Sequence, residues 1–123
     1  MDEYYAHKSG SEISCVMHGI KSALLKDTQK LKQILFEGLK KDKFTVLNSV
    51  EHEFEPQGYT AVVLLSESHA AIHTYPEHNS LYFHLHSCRG SKDGEEVVKY
   101  LKEKLKPKSV DFFAREVVFV SES

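Results

Sequence analysis

Four residues with proton-transfer or nucleophilic capacity, Glu67, Ser68, His69 and His73, fall within seven positions of one another. They follow directly on the smooth apolar run from Ala61 to Leu65, which reads as a buried strand ending at its most reactive residues. A second group lies on Ser80 to Cys88, where Leu81, Phe83 and Leu85 alternate with Tyr82, His84, His86 and Cys88. Strict alternation makes this a strand with one apolar face and one polar, reactive face. Three chemistries are open to such residues. Two histidines and a cysteine at alternate positions, with His69 and His73 nearby, are all zinc ligands by type, yet no closed structural-zinc spacing and no Cys-x-x-Cys occur, so no metal is expected. Ser68 lacks the Gly-x-Ser-x-Gly surroundings of a hydrolase nucleophile elbow. A Cys88–His nucleophilic pair remains open, because nothing in the sequence places a base beside the thiol.

The elements that must position these groups follow from periodicity. Residues 1–11 carry no pattern and are expected to form a loose arm, and Ile13 to Met17 a first short strand closed by His18-Gly19. Asp27 is a candidate N-cap for a helix whose Leu31, Ile34, Leu35 and Leu39 form one apolar stripe. Gly38 in that helix would admit a close neighbour. Phe44 to Phe54 and Thr60 to Leu65 read as strands around a Pro56–Gly58 turn, the second apolar enough for burial on both faces or a central position in a sheet. Ala70 to Thr74 is a short strand stopped at Tyr75-Pro76. Asp93 and Glu96 have the spacing of a capping box before a helix carrying Val97, Leu101 and Leu105, which Pro107 ends; Val110 to Val120 is the last strand. The order β-α-β-β-β-β-α-β rules out a simple βαβ repeat. It predicts an α+β fold, a two-layer α/β sandwich with a mostly antiparallel sheet and two main helices on one face.

Bulk properties agree with one domain spanning 1–123, large enough to bury roughly two-thirds of its unfolded surface. A formal net charge of −2 gives no footprint for nucleic acid or an acidic membrane. No apolar run approaches membrane-spanning length. With an acidic, polar start at Met1-Asp2-Glu3-Tyr4-Tyr5, Cys15 and Cys88 are expected as reduced thiols in a cytoplasmic protein.

The run Leu65-Ser-Glu-Ser-His-Ala-Ala-Ile-His-Thr-Tyr-Pro-Glu77, with Cys88 twenty residues beyond Ser68, closely resembles the processing site of prokaryotic S-adenosylmethionine decarboxylases. The resemblance runs without gaps from about Phe44 to Gly90, taking in His52, Phe54, Pro56, Gly58 and Thr60, the last where a serine is common. It implies a proenzyme that cleaves itself between Glu67 and Ser68 into chains 1–67 and 68–123. Ser68 then becomes a covalently bound pyruvoyl cofactor that forms a Schiff base with the substrate amine. His73 is implied as the base in processing, Cys88 as the proton donor in catalysis, and Thr60 and His69 as processing support. Glu77 would bind ribose hydroxyls, Phe54 would stack on adenine, and the sites would lie at a homodimer interface.

The sequence departs from the family around the substrate. Tyr75 replaces a tryptophan, His84 an aspartate, His86 an aromatic residue and Glu55 an apolar one; the first strand lacks the family's acidic residue. Tyr75, Glu55 and His84 therefore join Phe54 and Glu77 as candidate substrate-binding residues. S-adenosylmethionine is the leading substrate, feeding polyamine (spermidine) synthesis. A new carboxylate at Glu55 would suit the guanidinium or ammonium of arginine or ornithine, the alternative. A third reading, an uncleaved, non-catalytic regulatory homologue, sits poorly with an intact Glu67-Ser68-His69 and Cys88.

Overall fold

The computed structural model describes residues 7–121. Six strands form one sheet: β1 (Ser9–His18), β2 (Val46–Glu53), β3 (Tyr59–Leu65), β4 (Ser68–Tyr75), β5 (Ser80–Ser87) and β6 (Ser109–Val118). Their spatial order is β2-β3-β4-β5-β1-β6, and all five pairings are antiparallel. The helices are α1 (Ser22–Leu25), α2 (Thr28–Lys41) and α3 (Glu95–Leu105), with a 3-10 turn at Pro76–His78. The α+β sandwich expected from the element order is the fold observed.

One face of the sheet supplies Ile13, Cys15, Met17, Ala61, Val63, Leu65, Ile72, Leu81, Phe83 and Leu85 to a core shared with the apolar stripes of α2 and α3. The side chain of Asp27 accepts the Lys30 N–H and caps α2. Gly38 lets the two helices meet: a Cβ there would lie 3.2 Å from the Tyr100 ring.

Four expectations change. The first strand begins at Ser9, so residues 9–11 are paired with β6, and Ser11 also with β5, rather than loose; residues 1–6 lie outside the described part. Phe44 and Thr45 precede β2, and Phe44 is a core residue. α3 is capped by Gly94 in a left-handed conformation with no side-chain cap, so Asp93 does not form a capping box. Finally, β3 is buried on one face only. Val62 and Leu64 are 42% and 52% exposed, on the face away from the helices.

That outer face is a grid fixed by register. One row runs Val50, Val62, Ala71, His84, Ser14, Phe113; the next runs Asn48, Leu64, His69, His86, Glu12, Arg115. A third runs His52, Thr60, His73, Tyr82, Val16, Asp111. These three rows hold five of the eight histidines of the chain, and His18 follows Val16 on the same face.

Candidate active site

The site residues fall at two ends of the β3–β4–β5 ladder. At the first end β3 turns into β4 through Ser66 and Glu67, with Leu65 paired to Ser68. The Glu67 carboxylate is held by Thr45, whose backbone N–H donates at 3.1 Å and whose hydroxyl donates at 3.2 Å. The Glu67 carbonyl oxygen accepts two hydrogen bonds from one residue, the Cys88 N–H at 2.9 Å and the Cys88 thiol at 2.9 Å. Cys88 reaches it because β5 ends at Ser87, directly opposite Ser68. Ser68 itself has φ +148°, a backbone region that side-chain-bearing residues rarely adopt and that costs on the order of 1–3 kcal/mol. Its hydroxyl lies 3.4 Å from His69 Nδ1. A strained residue, a carbonyl gripped by two donors and a hydroxyl on the next residue leave the 67–68 peptide bond poised for attack at that carbonyl.

The surroundings of this end favour a neutral His69. Burial lowers the affinity of His69 for a proton, and His84 and His86, at ring separations of 5.5 and 5.8 Å, lower it further, with Glu12 opposing. His84 lies mid-face, with its Nδ1 buried and without a hydrogen-bond partner among the described residues. No group of three or more histidine, cysteine or carboxylate residues among those described is arranged to hold a metal ion.

At the second end, Thr60 Oγ1 and His73 Nδ1 are 3.0 Å apart across the β3–β4 ladder. His73 lies against Tyr82, whose hydroxyl shares a hydrogen bond with Ser14. Burial, and then His84, push the His73 pKa below its ordinary value, so the ring is a neutral base near pH 7. Phe54 stands edge-on to His52 at 4.6 Å. Phe54 and Tyr75 are large exposed aromatics, and Glu77 is exposed on the 3-10 turn between β4 and β5. Glu55 is exposed and lines a cavity of about 370 Å³ with Phe54, Pro56, Gly58 and Pro76.

The structure therefore gathers Glu67, Ser68, His69 and Cys88 at one end and Phe54, Thr60, His73, Tyr75 and Glu77 at the other. Ser68 and His73 are five residues apart on a continuous strand, roughly 16 Å at about 3.3 Å per residue. Within one chain the expected base does not reach the serine. Thr45, Arg89, Asp42 and Asp93, which surround the first end, were not legible as site residues. Thr45 contacts Glu67 across 22 positions, and Asp93 has helix-cap spacing but uses its carboxylate on Ser87 and Arg89 instead.

Fold and junction together define a two-layer α+β domain with a serine-centred site at the mouth of a β-hairpin, unlike any hydrolase elbow. A family model described as S-adenosylmethionine decarboxylase matches residues 12–116. The chain is 34% identical over 101 residues to the S-adenosylmethionine decarboxylase proenzyme of Thermoplasma volcanium, covering 82% of this chain and 78% of that one. It is 35% identical over 109 residues to the proenzyme of Brevibacillus brevis, covering 89% and 80%. The solved adenosylmethionine decarboxylase of Aquifex aeolicus superposes with a TM-score of 0.85 at 28% identity, over 96% of this chain and 98% of that one. This chain belongs to the S-adenosylmethionine decarboxylase family.

Proposed function

We propose that the chain is a self-cleaving proenzyme whose mature form decarboxylates S-adenosylmethionine using a pyruvoyl group made from Ser68. The observation that carries this reading is the junction: a strained Ser68 whose preceding carbonyl accepts two hydrogen bonds from Cys88. Ser68 Oγ adds to the Glu67 carbonyl carbon, and the oxygen that takes up charge already has the Cys88 N–H and thiol on it. The C–N bond then breaks, leaving an ester and freeing the Ser68 amine. Loss of the Ser68 α-proton to a base expels from Cβ the main-chain α-carboxylate of Glu67, now the end of the upstream fragment, leaving dehydroalanine at position 68. This tautomerises to an imine, which water hydrolyses to pyruvoyl with release of ammonia.

His73 suits the base, because burial keeps it neutral and Thr60 occupies its Nδ1, leaving Nε2 for the proton. Its separation from Ser68 in the same chain means that it serves the junction of a second copy. The outer sheet face supports such a pairing. Val50, Val62, Leu64 and Phe113 are all more than 40% exposed there, apolar side chains on two adjacent rows of the face. A two-fold packing of that face on itself sets the first end of each chain against the second end of the other. Two complete sites result per homodimer.

A pyruvoyl group at position 68, joined to the substrate amine, would supply the electron sink that loss of CO₂ requires. Cys88, whose N–H and thiol sit on the Glu67 carbonyl beside that position, would return a proton to the substrate carbon. Phe54 and Tyr75 offer aromatic faces for adenine, and the Glu77 carboxylate takes ribose hydroxyls. The named relatives are all S-adenosylmethionine decarboxylases, so an arginine or ornithine substrate is not favoured, and Glu55 is an exposed turn residue. A non-catalytic regulator would have no use for a strained serine junction. No helix among the described residues is long and apolar enough to cross a membrane, and we place the enzyme in the cytoplasm.

Intact-mass measurement of the purified protein tests the cleavage: two species meeting at Glu67/Ser68 are expected, and a single species from Ser68→Ala. One uncleaved wild-type species refutes the reading. CO₂ release from S-adenosylmethionine, but not from arginine or ornithine, is expected of the cleaved protein.

A further inference from the structure

We propose that the connection between α2 and β2, Asp42-Lys43-Phe44-Thr45, is a positioning element for the cleavage junction, setting the Glu67 carbonyl against Cys88 from both sides. The inference rests on the self-cleavage reading above.

Neither partner of the Glu67–Cys88 contact is fixed by the sheet. Glu67 is in the turn between β3 and β4, and Cys88 lies just past the last residue of β5. Both are held by the same short segment. On the Glu67 side, Thr45 donates its N–H and hydroxyl to the two carboxylate oxygens, and its carbonyl accepts the Ser66 N–H at 3.0 Å. Both residues of the turn are thereby tied to Thr45, and the Glu67 side chain cannot rotate without breaking two hydrogen bonds.

On the other side, the residues flanking Cys88 converge on a single carboxylate. Ser87 Oγ donates to Asp93 Oδ2 at 2.5 Å, and Arg89 donates from Nε and Nη2 to the two Asp93 oxygens at 2.7 and 2.8 Å. The far edge of the Arg89 guanidinium donates to Asp42, to the backbone carbonyl at 2.9 Å and to Oδ1 at 3.1 Å. Its face lies 3.6 Å over the Phe44 ring. A planar fork used on both edges and one face has no rotational freedom left. Asp42 Oδ2 also accepts the Val97 N–H, so the first turn of α3 joins the same assembly. Burial acts to raise both carboxyls. It prevails at Asp42, whereas at Asp93 the hydrogen bonds from Arg89 and Ser87 outweigh it and hold the carboxyl below its ordinary value.

Thr45 and Arg89 are therefore positioning residues: neither touches the carbonyl, and each orients a group that does. Displacement of reacting groups by about 1 Å is enough to slow a reaction strongly. The test is a time course of cleavage of newly translated chain, read by gel, for wild type, Thr45→Val, Thr45→Ser, Arg89→Lys and the Thr45→Val/Arg89→Lys double variant. Thr45→Val keeps shape and N–H but loses the hydroxyl, and Arg89→Lys keeps charge but loses the fork. Each is expected to slow cleavage about tenfold or more, with the double variant slower than either and thermal unfolding unchanged. Thr45→Ser is expected to restore the wild-type rate, and the pH profile of the slow variants to keep its midpoint, since the base is untouched. Wild-type rates in both single variants overturn the proposal. So does a fall in unfolding temperature that tracks the rate, which would assign the network to folding alone. If wild-type chain itself never cleaves, it is the self-cleavage reading that fails instead.

Discussion

The two ends of the β3–β4 hairpin differ in how they are finished. At the Ser68 end, the turn is closed from within the chain: the Glu67 carboxylate has Thr45, its carbonyl has Cys88, and the residues around Cys88 have Asp93 and Asp42. At the His73 end, Thr60 and His73 hold each other, but Phe54 and Tyr75 beyond them remain exposed, as do Val50 and Val62 on the adjoining row. One end holds the proposed cleavage junction, with His69 beside the Ser68 hydroxyl, and the other holds His73, the base of the proposal. The difference teaches that the first end is organised toward its own chain and the second toward something placed on it.

The sharpest way to break this comparison is to separate the ends on different chains. His73→Ala is expected to slow cleavage by about 10²–10⁴-fold, the usual contribution of a general base. Co-expression with Ser68→Ala, which retains His73, should restore cleavage of the His73→Ala chain alone. No rescue would mean that the base acts within its own chain. Next in size, Leu64→Lys with Val62→Asp puts charges among the apolar side chains of the outer face, and burying an uncompensated charge costs several kcal/mol. Sedimentation should show monomers, and cleavage should fall with the dimer. Cys88→Ala removes the thiol donor but keeps the N–H. Cleavage measured by intact mass should slow about tenfold, less than the loss of an amide donor because a thiol donates weakly, while decarboxylation is lost more severely.

The smallest effect is on pH. His69 and His73 both have folded-state affinities for protons below the ordinary histidine value of 6.5, so the unfolded chain binds more protons just under that value. Stability is then unaffected above 6.5 and declines as pH falls from there through the depressed values. His84→Asn removes one cause of both shifts. Thermal unfolding against pH should show a weaker acid-side decline, and the cleavage profile should move toward higher pH.

Much of this was readable in the chain itself. The helices declare themselves through Leu31, Ile34, Leu35 and Leu39 and through Val97, Leu101 and Leu105, because packing against a sheet demands that spacing. The Ser68 junction declares itself because its reactive residues are contiguous. Other features were hidden for physical reasons. Ser9, Gly10 and Ser11 look like a tail, yet they are strand because β6 pairs with all three and β5 joins at Ser11. Val62 and Leu64 masked the alternation of β3 because its outer face is apolar too, so a half-buried strand reads as a fully buried one. Thr45 and Asp93 carry no local mark, since their roles depend on residues brought near only by the fold.

The backbone angle at Ser68 has a consequence for direction. Its cost, on the order of 1–3 kcal/mol, exists only while residue 68 has a tetrahedral α-carbon bearing a side chain and an intact bond to Glu67. Once that carbon becomes trigonal and the upstream chain is released, the conformation no longer exists to be penalised. On the proposed cleavage, the precursor gives up this strain as it matures, and rejoining the two fragments would have to restore it. Proposed maturation then has a built-in direction, set at a single residue.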